Sequence, residues 1–503
     1  MFRIPQHRLA APVGGQRLLR RLAEKGRVLA CCGVLAGLPL QASAAETTAT
    51  KQTSIEREYA DELERLAGWC DERKLTEQAG TTRRWIVPQA PLTLVVALAD
   101  ARLPEVEPQA TAAVRDWTER FCKLRQTHGA RLFELAESAA AERDYGRALQ
   151  LIYATLREDP DHEEARRLLG YTRHEGTWLT RYELSKSQGN QVWHDRYGWL
   201  KKNQVAKYEA GQRFLKGRWI SAKDDTWQHA DIDQGWLVAT EHYQVRTNHS
   251  LEEGVRLAAR LEEFYDVWRQ IFARYEATDE QLARLFRDGA PAAGGGRRTT
   301  FHVTCYRDRE EYVAALRNEH PNIGLTTGYY LEKARMAYFF AGPEADDANL
   351  YHEATHQLFS ELRPGKSVAR DANFWVIEGI ACFMESYRSA DRLVVLGGVE
   401  ALRLRNARTR LLRDGFYLGL ADLCKLGMEA LQRHEDIAAV YSEAAGMTYF
   451  LMFAADGRFR QPLVDYLTSV YTNSDRADTL AELTGFSYKH LDEQYQHFIQ
   501  NLP

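Results

Sequence analysis

The chain has 503 residues, 45% of them hydrophobic and 27% charged, and a formal net charge of −4. This is ordinary soluble globular composition, with room for roughly two to four domains. It excludes collagen-like, disordered and multi-span membrane classes.

The long apolar run lies near the N-terminus. Arg17, Arg20, Arg21, Lys25 and Arg27 precede the apolar stretch Val28 to Leu40, and Ala42-Ser43-Ala44 follows. The stretch is too short to span a bilayer and reads as a secretory signal over residues 1–44, cut after Ala44. The expected destination is outside the cytoplasm: periplasm, cell envelope or exterior. No integral membrane span is expected after signal removal. The leader holds seven basic residues and one acidic residue, so the rest of the chain carries −10. An acidic mature chain argues against nucleic-acid binding. Five cysteines remain, scattered and odd in number. They read as buried thiols, with one bridge, Cys70–Cys122, left open.

Residues 45–125 form a polar N-terminal region. Ile55 to Arg73 has helical spacing, and Trp85 to Leu98 reads as extended or irregular. Residues 126–235 are more patterned. Arg143 to Leu149 leads into a helix that stops at Glu158-Asp159-Pro160, and a second helix is predicted from Ala165 to Tyr171. With Tyr145, Ala148 and Pro160 at its offsets, the segment resembles a tetratricopeptide repeat. Small Ala permits close helix approach, and Pro160 ends the helix that contains Ala148. One and a half units cannot bury their own face, so they pack on a neighbour or offer a protein partner a groove. Then Gly176-Thr177-Trp178-Leu179-Thr180 recurs as Gly217-Arg218-Trp219-Ile220-Ser221, among Trp193, Trp199, Trp227 and Trp236. These rings read as anchors for small modules or, alternatively, a platform for glycans.

From Trp236 the texture changes. Leu237 to Thr247 alternates as a strand, with Tyr243 and Val245 on one face. Leu251 to Tyr275 is an amphipathic helix, and Asp288 to Thr299 a loop. Phe301 to Cys305 is a short strand, and Asp308 to Arg317 a helix. Thr326 to Leu331 and Arg335 to Ala341 form a strand pair, and helices run to the C-terminus. A few strands followed by many helices predict an α+β, mainly helical fold for residues 236–503.

Chemistry concentrates in Leu350 to Leu358, which contains His352-Glu353-Ala354-Thr355-His356. On a helix capped by Asn349 or Asp347, His352 and His356 lie one turn apart on one face, within reach of a single zinc. Glu353 beside them can take a proton from an attacking water. Phe374 to Glu385 follows, with Glu378 as a third ligand on a second helix. Gly379 next to it is expected to let that helix approach the first. Three protein ligands leave the fourth position of a catalytic zinc open.

HExxH followed by Trp375, Glu378, Gly379, Ala381, Phe383 and Glu385 resembles the gluzincin metallopeptidases, and residues 235–503 are most similar to the peptidase-MA-like domains of secreted bacterial proteins. The resemblance implies a thermolysin-like, gluzincin-type C-terminal domain. It implies Zn2+ on His352, His356 and Glu378, with Glu353 as general base and a peptide or protein substrate. It also implies a Tyr or His donor to the oxyanion. Tyr441, expected just before a helix, is the candidate; His434 and Arg370 are the reserves. Glu385 is either a partner that orients a ligand or a surface ion pair. The strand Arg335 to Phe340 is where gluzincins hold an extended substrate, with one face expected to line the cleft. The expectation is thus a secreted zinc-dependent hydrolase. The alternative is a non-catalytic envelope interaction protein that works through its repeat-like and Trp-rich regions and keeps an inactive peptidase-like scaffold.

Overall fold

The computed structural model describes residues 47–99, 103–289 and 299–503. The signal reading at 1–44 and most of the predicted 288–299 loop lie outside these residues. The described chain is mixed, about 58% helical with small sheets, as an α+β, mainly helical fold requires.

The N-terminal region opens with helices α1 (Thr48–Glu72) and α2 (Thr76–Trp85), followed by strand β1 (Thr93–Ala97). The long α3 (Ala112–Ala141) and α4 (Tyr145–Glu158) form the repeat-like hairpin. Ala148 is fully buried at their contact, as the small-residue argument requires. The next helix is only Glu163–Leu168, because the chain then turns into a β-hairpin. A buried ionic knot ties this region together. Glu158 accepts from Tyr59 (2.8 Å), Trp85 (2.8 Å) and Arg157 (2.6 Å), and the Arg125 and Arg157 guanidiniums lie over the Trp85 ring. Cys70 and Cys122 are free, as are the other three described cysteines.

Residues 172–228 form three hairpin-plus-helix units, not two. The strand pairs are 172–174 with 177–179, 191–194 with 198–201, and 212–215 with 218–221. The middle unit carries Gly198-Trp199 with no residue between, so it breaks the Gly-x-Trp spacing of its neighbours. Trp193 and Trp199 dock on the main core, whereas Trp227 is exposed.

Five strands form one sheet: β2 (Trp236–Ala239), β3 (Tyr243–Thr247), β4 (Phe301–Tyr306), β5 (Tyr329–Leu331) and β6 (Met336–Phe340). Its order is β5-β6-β4-β3-β2. Strand β4 runs parallel to both neighbours, and the outer pairs are antiparallel. Tyr243 and Val245 face the core with no exposure. Helix α5 (Leu251–Ile271) packs across β2 and β3.

The site helices follow: α6 (Asp347–Leu362), α7 (Phe374–Met384), then a hairpin of β7 (Arg388–Ala390) and β8 (Leu393–Gly397), α8 (Leu402–Leu412), α9 (Ile437–Gly457) and α10 (Tyr488–Gln500). The β7–β8 hairpin interrupts the predicted run of helices. It pairs with β1 from the N-terminal region, in the order β1-β8-β7. Leu94, Val96 and Leu98 thereby enter the same core as α5, α6, α7 and α9. Helix α9 is long and apolar enough to cross a membrane by length and composition. A run-based reading passes over it because Ser442 and Glu443 interrupt its start. Its residues from Ala439 to Met452 are almost all buried in the protein core.

Candidate metal centre

Helix α6 is capped by neither Asp347 nor Asn349 but by Asp346, whose carboxylate accepts from the Ala348 amide at 3.0 Å. Leu350, Tyr351, Ala354, Leu358 and Phe359 are buried on one side. Tyr351 stacks on Phe264 and Phe359 packs edge-on to Trp268, both on α5. Each such fully buried large side chain contributes about 1.5–3 kcal/mol, so the face that carries His352 and His356 has a rigid support. The helix ends at Leu362, just before Pro364, which cannot continue it.

Helix α7 is buried at every residue. Its entry is held by tertiary contacts, not by a side-chain cap. Asn373, in the left-handed region at φ 61°, and Phe374 give their amide protons to the carbonyls of Cys424 and Leu426. Gly379 serves a different helix from the one expected. A Cβ there would stand 2.7 Å from the Ala444 carbonyl oxygen and would also collide with Thr448. The glycine therefore admits α9, and Glu378 comes to the histidines because α7 is clamped between α6 and α9.

The structure brings the three predicted ligand residues together. His352 Nε2 is 3.1 Å from His356 Nε2. Glu378 Oε2 is 3.4 Å from the first and 3.7 Å from the second. Zinc bonds of about 2.0–2.1 Å at tetrahedral angles separate donor atoms by about 3.3–3.4 Å. The triangle thus has the size that one tetrahedral ion demands, and its donors, two imidazoles and a carboxylate, suit zinc.

Electrostatics agree with the geometry. Burial alone would drive the His352 imidazolium toward neutrality, but contacts with Cys382, Glu378 and Glu385 outweigh it and hold the ring's pKa well above its usual value. Burial would raise the Glu378 carboxyl, but the charge of His356 and hydrogen bonds from both histidines keep it far below the usual range. The carboxylates of Glu378 and Glu385 thus favour positive charge at this point of the core.

Glu353 lies beside the triangle, and its Oε2 accepts the Tyr330 amide of strand β5 at 2.8 Å. Burial raises its pKa against the pull of His352, His356 and that amide. A raised carboxyl suits a general base that must later return its proton. Tyr441 is the fifth residue of α9, inside the helix and not ahead of it. Its hydroxyl donates to Glu378, and burial above all raises its pKa. Among the described residues, no hydrogen bond or ion pair links His434 or Arg370 to the cluster. His434 Nδ1 accepts the Asp436 amide at 3.1 Å, and Arg370 is exposed on the loop between α6 and α7.

A comparison against family models and a search of the curated proteins found no match to this chain.

The strand reading needs correcting. Strand β6, within the predicted Arg335 to Phe340, is internal, bonded to β4 on one side and β5 on the other. Both its faces are covered. Ala337 and Phe339 join the main core, while Tyr338 and Phe340 pack with Tyr306, Tyr312 and Ile323. The open edge beside Glu353 belongs to β5. Two neighbours escaped the motif reading. Cys382 reaches His352 from one turn beyond Glu378. Arg403 on α8 grips Glu385, which in turn holds His352 Nδ1 at 2.9 Å. Glu385 was legible from its seven-residue spacing to Glu378. Arg403 had no signal, because it comes from a separate helix.

Proposed function

We propose that the chain is a zinc-dependent hydrolase of peptide bonds, with a gluzincin-type, thermolysin-like site on its C-terminal half. The observation that carries the reading is the triangle of His352 Nε2, His356 Nε2 and Glu378 Oε2, with Glu353 at its side. Zinc held there supplies Lewis-acid polarisation of the scissile carbonyl and lowers the pKa of water.

The protein groups do the rest. Glu353 takes the proton of the attacking water and passes it to the leaving amine. The Tyr330 amide at 2.8 Å fixes the orientation of that carboxylate. The Tyr441 hydroxyl, released from Glu378, donates to the carbonyl oxygen as it gains charge. An extended substrate adds to the open edge of β5, the strand that delivers Tyr330. The N-terminal leader points to an exported enzyme acting on peptides or proteins outside the cytoplasm.

The test is Glu353→Gln, assayed on a peptide library beside the wild type. The amide keeps the shape but cannot accept the proton, so zinc content should hold while turnover falls roughly 10²–10⁴-fold. Cleavage at the wild-type rate would remove Glu353 from the reaction. A wild-type protein that takes up zinc but cleaves nothing would favour the non-catalytic alternative.

A further inference from the structure

We infer that Arg403 is a positioning residue for the metal: through Glu385 it fixes the ring of His352 so that Nε2 faces the ligand triangle. This rests on the zinc reading of the site. Glu385 stands at the C-terminal end of α7, with its side chain mostly buried. Arg403, from α8, meets it with both arms of the guanidinium. Nε donates to Oε2 at 2.7 Å, and Nη2 donates to Oε1 at 2.7 Å. Oε1 also accepts from His352 Nδ1 at 2.9 Å.

Each of these contacts removes one freedom. A two-armed guanidinium fixes the plane of a carboxylate, which one point charge does not. The fixed plane presents Oε1 to Nδ1, so the imidazole proton sits on Nδ1 and the Nε2 lone pair is left for the ion. Without Arg403 the Glu385 carboxylate could rotate about its last bond, and the ring it holds would turn with it. The arginine also offsets a charge. Glu353, Glu378 and Glu385 crowd one small region, and Arg403 neutralises Glu385.

A merely structural ion pair would predict a loss of folding with no particular effect on metal. A positioning role predicts the reverse, and the zinc dissociation constant separates the two. It is measured by competition with a chromophoric chelator on full-length protein, alongside the melting temperature of the metal-free form. Arg403→Met and Glu385→Gln should each weaken zinc about 10–100-fold, with the metal-free melting temperature close to wild type. The double variant should be no weaker than Glu385→Gln alone, because Arg403 acts only through Glu385. Arg403→Lys, which keeps the charge but loses the fork, should fall in between. Zinc affinity of Arg403→Met within twofold of wild type would overturn the inference, and so would additive losses in the double variant. If Arg403→Met does not fold, the comparison of Arg403→Lys with Glu385→Gln decides it, and an unchanged lysine variant overturns it. A wild-type chain that binds no zinc would instead overturn the reading beneath it.

Discussion

At the scale of single residues, Tyr441 carries the most informative test. Its hydroxyl is engaged with Glu378. In the proposed reaction it turns to the carbonyl oxygen, where negative charge appears only as water adds. A donor that meets charge only in the transition state raises kcat more than it lowers KM. Tyr441→Phe should therefore lower kcat about 10²–10³-fold with little change in KM and full zinc content. An active phenylalanine variant would take the phenol out of the chemistry. This pattern shows what a sequence carries at this scale. His352 and His356 were legible because helical spacing converts directly into a shared face, and Glu378 from the Trp-x-x-Glu-Gly pattern that surrounds it. Arg403 was not, because no spacing rule links α8 to α6.

At the scale of elements, α9 carries both a residue of the cluster and a buried acid of the core. Tyr441 points to the cluster, and Glu443, two residues on, points away into the core with no exposure. Burial first, and then the charge of Asp492, push the Glu443 carboxyl up to about 8, while Tyr495 pulls the other way; Tyr417 lies on the same side. Its folded pKa thus lies above the ordinary 4.5. The folded state holds a proton that the unfolded state releases, so stability is greatest below the unfolded pKa and falls as pH rises through 8. Glu443→Gln should remove this slope, which for one proton reaches about 1.4 kcal/mol per pH unit. Denaturant midpoints at pH 6 and pH 8 measure it, and equal pH dependence in variant and wild type would contradict the assignment. Elements also mark where pattern reading stops. The pair of strands around residues 329 and 336 was legible from alternation, but not which of them lies at the sheet edge, since that depends on β4 arriving in parallel. Gly379 was legible as a close-packing residue, but its partner was not, because Thr448 and Ala444 lie on a helix far along the chain.

At the scale of the whole molecule, the N-terminal region is part of the structure that supports the site. Strand β1 runs antiparallel to β8 from Thr93 opposite Gly397 to Ala97 opposite Leu393. Gln270 on α5 donates to the Ala97 carbonyl in the core, and Tyr153 of the repeat-like hairpin donates to Asp266 on α5. A chain cut before residue 236 loses the backbone partner of β8 and uncovers the surface that Leu94, Val96 and Leu98 fill. That fragment should be insoluble or should melt without a cooperative transition, even though the motif lies wholly inside it. A soluble fragment 236–503 that melts cooperatively and takes up zinc would show that β1 is dispensable. Composition and texture pointed to a change at Trp236 but not to this pairing, because a five-residue strand that bonds to a partner three hundred residues away leaves no local pattern.

In the proposed site His352, His356 and Glu378 hold one zinc ion. Metal analysis of purified full-length protein tests it most directly, with the wild type compared against the His352→Ala/His356→Ala double variant under the same dialysis. The expected result is one zinc per wild-type chain and almost none in the variant, with both chains folded. Equal zinc in the two, or a folded wild type that takes up none when zinc is supplied, would contradict it.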